Sequence, residues 1–239
     1  MQKVGTLTRR ELSVFFFSPI AYVVIAIFLV VTGIFFTSDN FLPGAEASLR
    51  ITFGNYLPLI LVFVLPMLTM RLLSEEFRSG TVETLMTAPV SEADIVLGKF
   101  LGTLVFYLAM LATTLLHVVL IAVYGPLDVG MLLATYLGLI LLGGLYISVG
   151  LFFSACTRNQ VIAVLCSFVL LAVFTFLANY LAREQEGTLR VVLQHLSIVA
   201  HFQDFARGLV DTNHLIFFLS TTVLFLFLTV KVLESRRWR

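Results

Sequence analysis

Residues 73–99 read LSEEFRSGTVETLMTAPVSEADIVLGK, and this stretch decides how the rest of the chain is interpreted. It places seven charged side chains between two long apolar runs, in a chain of which only 12% of the residues are charged. Such a stretch cannot lie in lipid, because each ion would need a partner or water. We therefore expect a water-exposed loop between two membrane-crossing helices.

The composition of the 239-residue chain indicates an integral membrane protein. Hydrophobic residues make up 59% of it, and the mean hydropathy is +1.03. The charged fraction is about half of that in an ordinary soluble domain. The formal net charge of +1 argues against a nucleic-acid partner. The two cysteines, Cys156 and Cys166, lie in apolar segments and do not predict a disulfide framework.

Six stretches without Asp, Glu, Lys or Arg are long enough to cross a membrane. Their apolar residues are continuous, which favours helices over the alternating strands of a barrel. We therefore expect an all-α bundle of six transmembrane helices, forming a single domain over residues 1–239. The predicted spans are residues 19–37, 56–73, 100–123, 131–153, 160–181 and 215–231, with a charged loop over 74–99 and a long loop over 182–214.

Lysine and arginine are distributed unequally between the two sides that these spans define. An even number of crossings puts both termini on one side, which carries eleven basic residues against four on the other. The asymmetry predicts that both termini and the loop 74–99 are cytoplasmic. The eleven are Lys3, Arg9, Arg10, Arg71, Arg78, Lys99, Arg158, Lys231, Arg236, Arg237 and Arg239, and the four are Arg50, Arg183, Arg190 and Arg207.

Two amphipathic segments flank the spans. Before the first span, apolar and basic residues alternate as in a helix that lies along the cytoplasmic interface, with its basic residues facing lipid phosphates. In the loop 182–214, Ile198, Phe202 and Phe205 recur at helical spacing, and Gly208 can close that helix. We expect an interfacial or re-entrant external helix there.

The charged loop itself predicts a short helix. Ser79 and Gly80 form a break, Thr81 is a suitable N-cap, and Pro89 ends the helix about two turns later. Its apolar face consists of Val82, Leu85 and Met86, and a helix this short gains stability by packing that face against something. An ordinary membrane-surface loop and a docking element for a cytoplasmic partner both fit.

A second helix start follows in the same loop. Ser91 and Asp94 have the spacing of a capping box, and the helix that they open would run through Gly98 into the third span. Gly98 and Gly102 are one of several pairs of small residues at four-residue spacing, which allow close helix packing within the chain.

No catalytic, cofactor-binding or metal-binding constellation is evident in the sequence. Gly98-Lys99 is followed by Phe100 rather than Ser or Thr, so there is no Walker A motif, and we expect no ATP hydrolysis by this chain. We expect His117 to form an interhelical hydrogen bond. His195, His201 and His214 lie near the external loop without a Met or Cys cluster, and we expect no metal there.

The charged loop resembles the cytoplasmic signature of ABC-2 type ABC transporter permeases. The residues that carry the resemblance are Ser74-Glu75-Glu76, Ser79-Gly80-Thr81, Glu83, Leu85, Ala88-Pro89-Val90-Ser91 and Gly98-Lys99. Six spans and the long loop before the last one extend the resemblance over the whole chain. The segments His201-Phe202, Phe205-Ala206-Arg207-Gly208, Asp211 and 233–238 look closer to the subgroup of gliding-motility and copper-enzyme-maturation permeases.

The resemblance implies a permease subunit in a bacterial or archaeal cytoplasmic membrane, which works with two cytosolic ATPase subunits and a second permease, identical or homologous. ATP and Mg²⁺ would bind to the ATPases, and the permeases would contact membrane lipids. We expect export rather than import, because the chain shows no dock for a periplasmic binding protein. The alternative function is a non-transporting membrane anchor that recruits a cytosolic factor through the loop 74–99.

The resemblance also implies roles for individual residues. A coupling helix between the second and third spans would insert into a groove on the ATPase. A hairpin before the last span would gate the external end of the pathway, and a structural cap fits that hairpin equally well. The implied coupling residues are Glu75, Glu76, Arg78, Gly80, Thr81, Glu83, Leu85, Met86 and Pro89, and the implied external gate residues are Phe202, Phe205 and Arg207.

Overall fold

The computed structural model of the chain describes residues 2–40, 49–81, 90–124, 128–184 and 188–237. Over these residues the chain is helical and has no strands, which confirms the predicted all-α class. Six of the described helices are long and apolar enough to cross a membrane. In chain order these spans are Pro19–Ser38, Thr52–Ser79, Glu92–Val123, Val129–Cys156, Gln160–Leu181 and Thr212–Arg236.

Besides the short helical turn Leu49–Ile51, which leads into the second span, the described residues form three further helices outside the spans. An N-terminal helix, Gln2–Phe16, precedes the first span and packs along the third. Between the fifth and sixth spans are two short helices, Thr188–Leu196 and Ile198–Ala206, which we call the first and second external helices. The second external helix ends where Gly208 adopts a φ of 85°, a backbone conformation that glycine tolerates best, which confirms the predicted stop.

The second and third spans extend farther as helices than the apolar runs predict. The second continues to Ser79, through the charged residues that follow position 73. The third begins at Glu92, which confirms the predicted helix that runs through Gly98 into this span. Charge limits how deep a residue lies in lipid, but it does not end a helix. The ends are set instead by Gly80, with a φ of 75°, and by Ser91 and Asp94, which form the predicted capping box.

The fourth span is the centre of the bundle. It packs against the second, third, fifth and sixth spans and against the second external helix. Of the 18 most apolar consecutive residues of this span, 72% are buried, compared with 11% for the sixth span. Its glycines allow this, because Gly143 lies directly against the ring of Tyr107 and Gly150 lies directly against Thr69. A side chain at either glycine would force its neighbour away.

Two spans contain π-helical segments, and one of these also contains a break. The π segments are Thr52–Tyr56 at the start of the second span and Val173–Leu177 in the fifth. Pro58 follows the first segment and has no backbone N–H to donate in the next turn. The missing donor accounts for the irregular hydrogen bonding of that segment. At Met70 the second span breaks again, and Ser154 of the fourth span donates to its carbonyl at 2.9 Å.

Candidate functional site

A buried ionic cluster lies at the end of the bundle that carries the N-terminal helix. The ammonium Nζ of Lys99 lies 2.9 Å from Oε1 of Glu11 and 2.8 Å from Oε1 of Glu76. The three side chains are 5%, 12% and 16% exposed, respectively. They belong to the third span, the N-terminal helix and the end of the second span. We call these three residues the lysine junction.

Close helix packing brings the members of the lysine junction together. A Cβ placed on Gly98 would lie 2.6 Å from Cβ of Leu7, and one placed on Gly102 would lie 2.7 Å from Cβ of Glu11. The N-terminal helix therefore rests directly on a glycine face of the third span, and Glu11 reaches Lys99 from there. The predicted intrachain role of this small-residue pair is confirmed.

The charges of the lysine junction do not balance. Two carboxylates share one ammonium, and Oε2 of Glu76 is buried with no hydrogen-bond partner among the described residues. Removing a partner from a buried pair is expensive, because the remaining charge stays desolvated. The junction therefore depends on Lys99 and has capacity for one more donor at Glu76.

Two arginine–aromatic contacts tie neighbouring helices to the same end. The guanidinium of Arg71 lies 5.3 Å from the ring centre of Phe15, which joins the second span to the N-terminal helix. The guanidinium of Arg236 lies 4.2 Å from the ring centre of Phe77 and donates to the carbonyl of Cys156 at 2.7 Å. The sixth span is thereby held to the second and fourth.

The predicted coupling residues fall into two groups. Glu75, Arg78, Gly80 and Thr81 are exposed at and just beyond the end of the second span, and Glu76 is held in the lysine junction. The remaining predicted coupling residues, Glu83, Leu85, Met86 and Pro89, lie outside the described residues, as does the short helix predicted for them. Their coupling role stays a prediction.

The opposite end of the bundle is covered by the second external helix. Its predicted apolar face is buried, with Phe202 and Phe205 both 0% exposed. These rings pack on Gly138 of the fourth span, where an added Cβ would lie 2.7 Å from Cβ of Phe205. Arg207 is about half exposed and lies 3.5 Å from Asp204. The gating role predicted for the two rings and for Arg207 stays a prediction.

The second external helix also contacts both π segments. At the second span, a Cβ added to Gly54 would lie 3.1 Å from Cβ of Ala206. At the fifth span, Thr175 of the π segment shares a 3.0 Å hydrogen bond with Tyr146 of the fourth span. Irregular helical turns of this kind often occur at functional positions. Sequence reasoning missed both segments, and the only signal was Pro58.

A polar cavity of about 820 Å³ opens beside the external helices. Its lining includes three histidines, His195, His201 and His214, together with Asp204 and Arg207. Burial lowers the pKa of His201 below its ordinary value of 6.5. Nδ1 of His201 lies only 2.6 Å from Nδ1 of His214, which is a hydrogen bond. Two nitrogens that bind one tetrahedral metal ion lie about 3.3 Å apart, so this geometry does not suit a shared metal.

His117 is buried between the first and third spans. Its Nδ1 lies 3.3 Å from the carbonyl oxygen of Thr114, one turn earlier in its own span, and its ring meets the edge of Phe36 at 4.8 Å. The hydrogen bond recorded for this ring is within the helix rather than between helices, so the interhelical contact is made by ring packing. In the described part of the chain, no group of three or more His, Cys, Asp or Glu is arranged to hold a metal ion.

The fold and the hydropathy of its helices define a multi-pass membrane protein. The family profile described as ABC-2 family transporter protein matches residues 16–237, and the chain belongs to this family. It is therefore a membrane permease of an ABC transporter, and membership implies a partner ATPase subunit. A search of curated proteins found no significant match to the chain.

Proposed function

We propose that this permease couples ATP hydrolysis by a separate ATPase subunit to the export of its substrate. The observation that carries the proposal is the lysine junction, which joins the N-terminal helix to the cytoplasm-facing ends of the second and third spans. Those two helix ends flank the segment for which the sequence predicts a coupling helix. Displacement of that segment would act on both spans at once.

The physical requirement for coupling is a stiff connection between the ATPase contact and the spans. The buried ionic contacts of the lysine junction join three helices and fix the relative positions of these helices. Separating any two of the charged groups would leave a desolvated charge. The exposed Glu75 and Arg78 lie just outside this connection, where polar contacts to a partner would form.

The remaining parts of the proposal follow from family membership and charge distribution. Both termini face the cytoplasm of a bacterial or archaeal cell, because the side that they share carries most of the lysine and arginine. Two ATPase copies and a second permease, identical or homologous, complete the transporter. The chain has no Walker A motif, so ATP and Mg²⁺ would bind to the ATPases. The subgroup of gliding-motility and copper-enzyme-maturation permeases remains the expected affiliation.

The test uses the full chain in lipid nanodiscs with the ABC ATPase that copurifies from its native membranes. Leu85→Asp should abolish ATPase binding and stimulation, because it places a charge on the predicted apolar docking face. Glu75→Arg should weaken both by reversing a charge at the rim. Glu184→Arg, an equivalent reversal at an exposed position near the external helices, should leave both unchanged.

Two outcomes would contradict the proposal. Leu85→Asp could leave ATPase binding unchanged, which would remove the coupling assignment. Alternatively, the wild-type complex could hydrolyse ATP without moving any of the compounds that copurify with it in reconstituted vesicles. That second result, with binding through the loop intact, would favour a non-transporting anchor.

A further inference from the structure

A continuous chain of hydrogen bonds crosses the cavity beside the external helices. Oδ2 of Asp204 lies 2.8 Å from Nε2 of His214, and Nδ1 of His214 lies 2.6 Å from Nδ1 of His201. Nε2 of His201 lies 3.0 Å from the main-chain carbonyl oxygen of His195. We call these four groups the histidine network. It joins both external helices to the first turn of the sixth span.

The positions of the protons follow from what each group can donate. A carbonyl oxygen only accepts, so Nε2 of His201 must carry a hydrogen. Burial disfavours the charged form of His201, and a neutral imidazole carries one hydrogen, which leaves Nδ1 of His201 as an acceptor. The hydrogen in the 2.6 Å contact must therefore come from Nδ1 of His214.

The last contact requires a proton that the neutral rings do not supply. With its hydrogen on Nδ1, a neutral His214 would present a bare Nε2 to the carboxylate of Asp204, and neither atom would donate across the 2.8 Å contact. Three hydrogen bonds need three protons, whereas two neutral imidazoles and an ionised carboxylate hold two. We infer that the histidine network binds one additional proton, carried by Nε2 of His214 and donated to Asp204, and that this proton fastens the second external helix to the sixth span.

The number of protons that the histidine network can bind also has an upper limit. A fourth proton would have to go to Nδ1 of His201, where it would place two N–H groups against each other across 2.6 Å. His201 is 9% exposed and its ring stacks on Phe217 with ring centres 4.0 Å apart, so it cannot turn away without leaving this packed position. The contact between the two histidines must open when both rings are charged, because two N–H groups would then face each other.

The pH range of this opening follows from the sign of the shift at His201. Burial lowers the pKa of His201 from its ordinary value of 6.5, so the folded network binds fewer protons at this ring than an opened one. The stabilising contribution of a neutral His201 is complete above about pH 6.5 and is lost as the pH falls through the lowered pKa. Acidification of this side of the membrane therefore releases the second external helix.

Other charged groups surround the histidine network without replacing its contacts. Arg190 and the ring of His195 line the cavity from the first external helix, Arg207 lies 3.5 Å from Oδ1 of Asp204, and Asp211 precedes the sixth span. The ring of His195 bonds within its own helix, to the carbonyl oxygen of Val191 at 2.8 Å. Among the described residues, the spans beneath the external helices contribute no acidic or basic side chain to the cavity lining other than His214 itself.

The experiment uses the small number of histidines in the chain, which is four. The full chain in lipid nanodiscs, with ¹⁵N-labelled imidazole rings, gives four pairs of ring signals, which His117→Gln and His195→Gln help to assign. At a pH of about 7.5 we expect a neutral His201 with its hydrogen on Nε2, and a His214 with both nitrogens protonated. These signatures do not depend on an ATPase partner.

Two variants distinguish the specific contact between Asp204 and His214 from the general effect of a negative charge in the cavity. In Asp204→Asn the amide group can donate to a bare Nε2, so His214 should become neutral at the same pH, with its hydrogen on Nδ1. Asp211→Asn removes an equal charge from the same cavity and should leave both signatures unchanged. His201 should stay neutral with its hydrogen on Nε2 in both variants.

A second measurement follows the proposed release directly. Amide hydrogen exchange of residues 198–206, corrected for the intrinsic effect of pH, should accelerate at least tenfold as the pH is lowered to about 5, while that of residues 139–150 in the fourth span should not. A neutral His214 in the wild-type chain at the higher pH, a hydrogen on Nδ1 of neutral His201, or equal acid responses of the two segments would each overturn the inference.

Discussion

Replacing Lys99 by methionine should destabilise the chain more than any exposed charge substitution. Methionine keeps most of the length and the apolar stem but removes the ammonium that lies 2.9 Å from Glu11 and 2.8 Å from Glu76. Two carboxylates that are at least 84% buried would then face each other without a cation. Loss of one partner from a buried pair costs about 3–5 kcal/mol, and we expect the free energy of unfolding to fall by that amount.

The assay is reversible unfolding of the full chain in mixed micelles, together with hydrogen exchange of residues 3–16. The matched control is Lys231→Met, because Lys231 pairs with Glu234 at 2.7 Å but both side chains are substantially exposed. That pair should contribute less than about 1 kcal/mol. In Lys99→Met the N-terminal helix should also exchange faster, since its attachment through Glu11 is lost.

A compensating variant makes the reasoning refutable even if Lys99→Met folds poorly. Adding Glu11→Gln and Glu76→Gln removes both unpaired charges and should recover most of the lost stability. Glu76→Gln alone should cost less than Lys99→Met, because it leaves one ammonium with one carboxylate. If Lys99→Met lay within about 1 kcal/mol of the wild type, or if the triple variant were no more stable than Lys99→Met, the account of the junction would be refuted.

Three further substitutions test the packing of the bundle, each by the same unfolding assay. Gly138→Ala should cost about 1–3 kcal/mol and speed hydrogen exchange of residues 198–206, because its Cβ would lie 2.7 Å from that of Phe205. The control Gly144→Ala should be close to neutral, because the nearest atom to its Cβ would lie 3.9 Å away. Equal costs of the two variants would contradict this reasoning. Ser154→Ala should cost about 1 kcal/mol by leaving two N–H groups of the second span unpaired, and an unchanged midpoint would show that they have other partners. Tyr107→Phe should cost about 1 kcal/mol through loss of its 2.8 Å hydrogen bond to the fourth span, and a stabilised variant would contradict that.

The number of spans and the ends of the charged loop were predictable because their signals are local. A run of apolar residues predicts a span without knowledge of its neighbours, and Ser91 and Asp94 carry the whole capping box within one turn. Gly80 likewise ends the second span through its own backbone conformation. The extension of that span to Ser79 was not predicted, because an apolar run marks depth in lipid rather than the end of a helix.

The lysine junction was not predictable in the same way, because its members are far apart in the sequence. Glu11 and Lys99 are 88 positions apart, and no local pattern in either segment indicates that the two side chains are in contact. The available signal was the glycine pair at positions 98 and 102. This pair indicated that another helix packs closely there, but not which helix it is. The histidine network is an intermediate case: helical spacing predicted the buried face of the second external helix, but not the fold-back that brings His214 against His201.

The second span reaches both the lysine junction and the second external helix. Its first turns, around Gly54, contact the second external helix, and its last turn holds Glu76 in the lysine junction. Gly54 and Glu76 are 22 positions apart, which corresponds to roughly 33 Å at about 1.5 Å per residue. The break at Met70 is held from outside by Ser154, which accepts from two N–H groups beyond the break and donates to the carbonyl of Met70. Because the buried fourth span holds that point through Ser154, a displacement of Glu76 reaches the external helix only if the second span tilts as a whole about it. Bending at the interrupted turn would stop the displacement before the external helix.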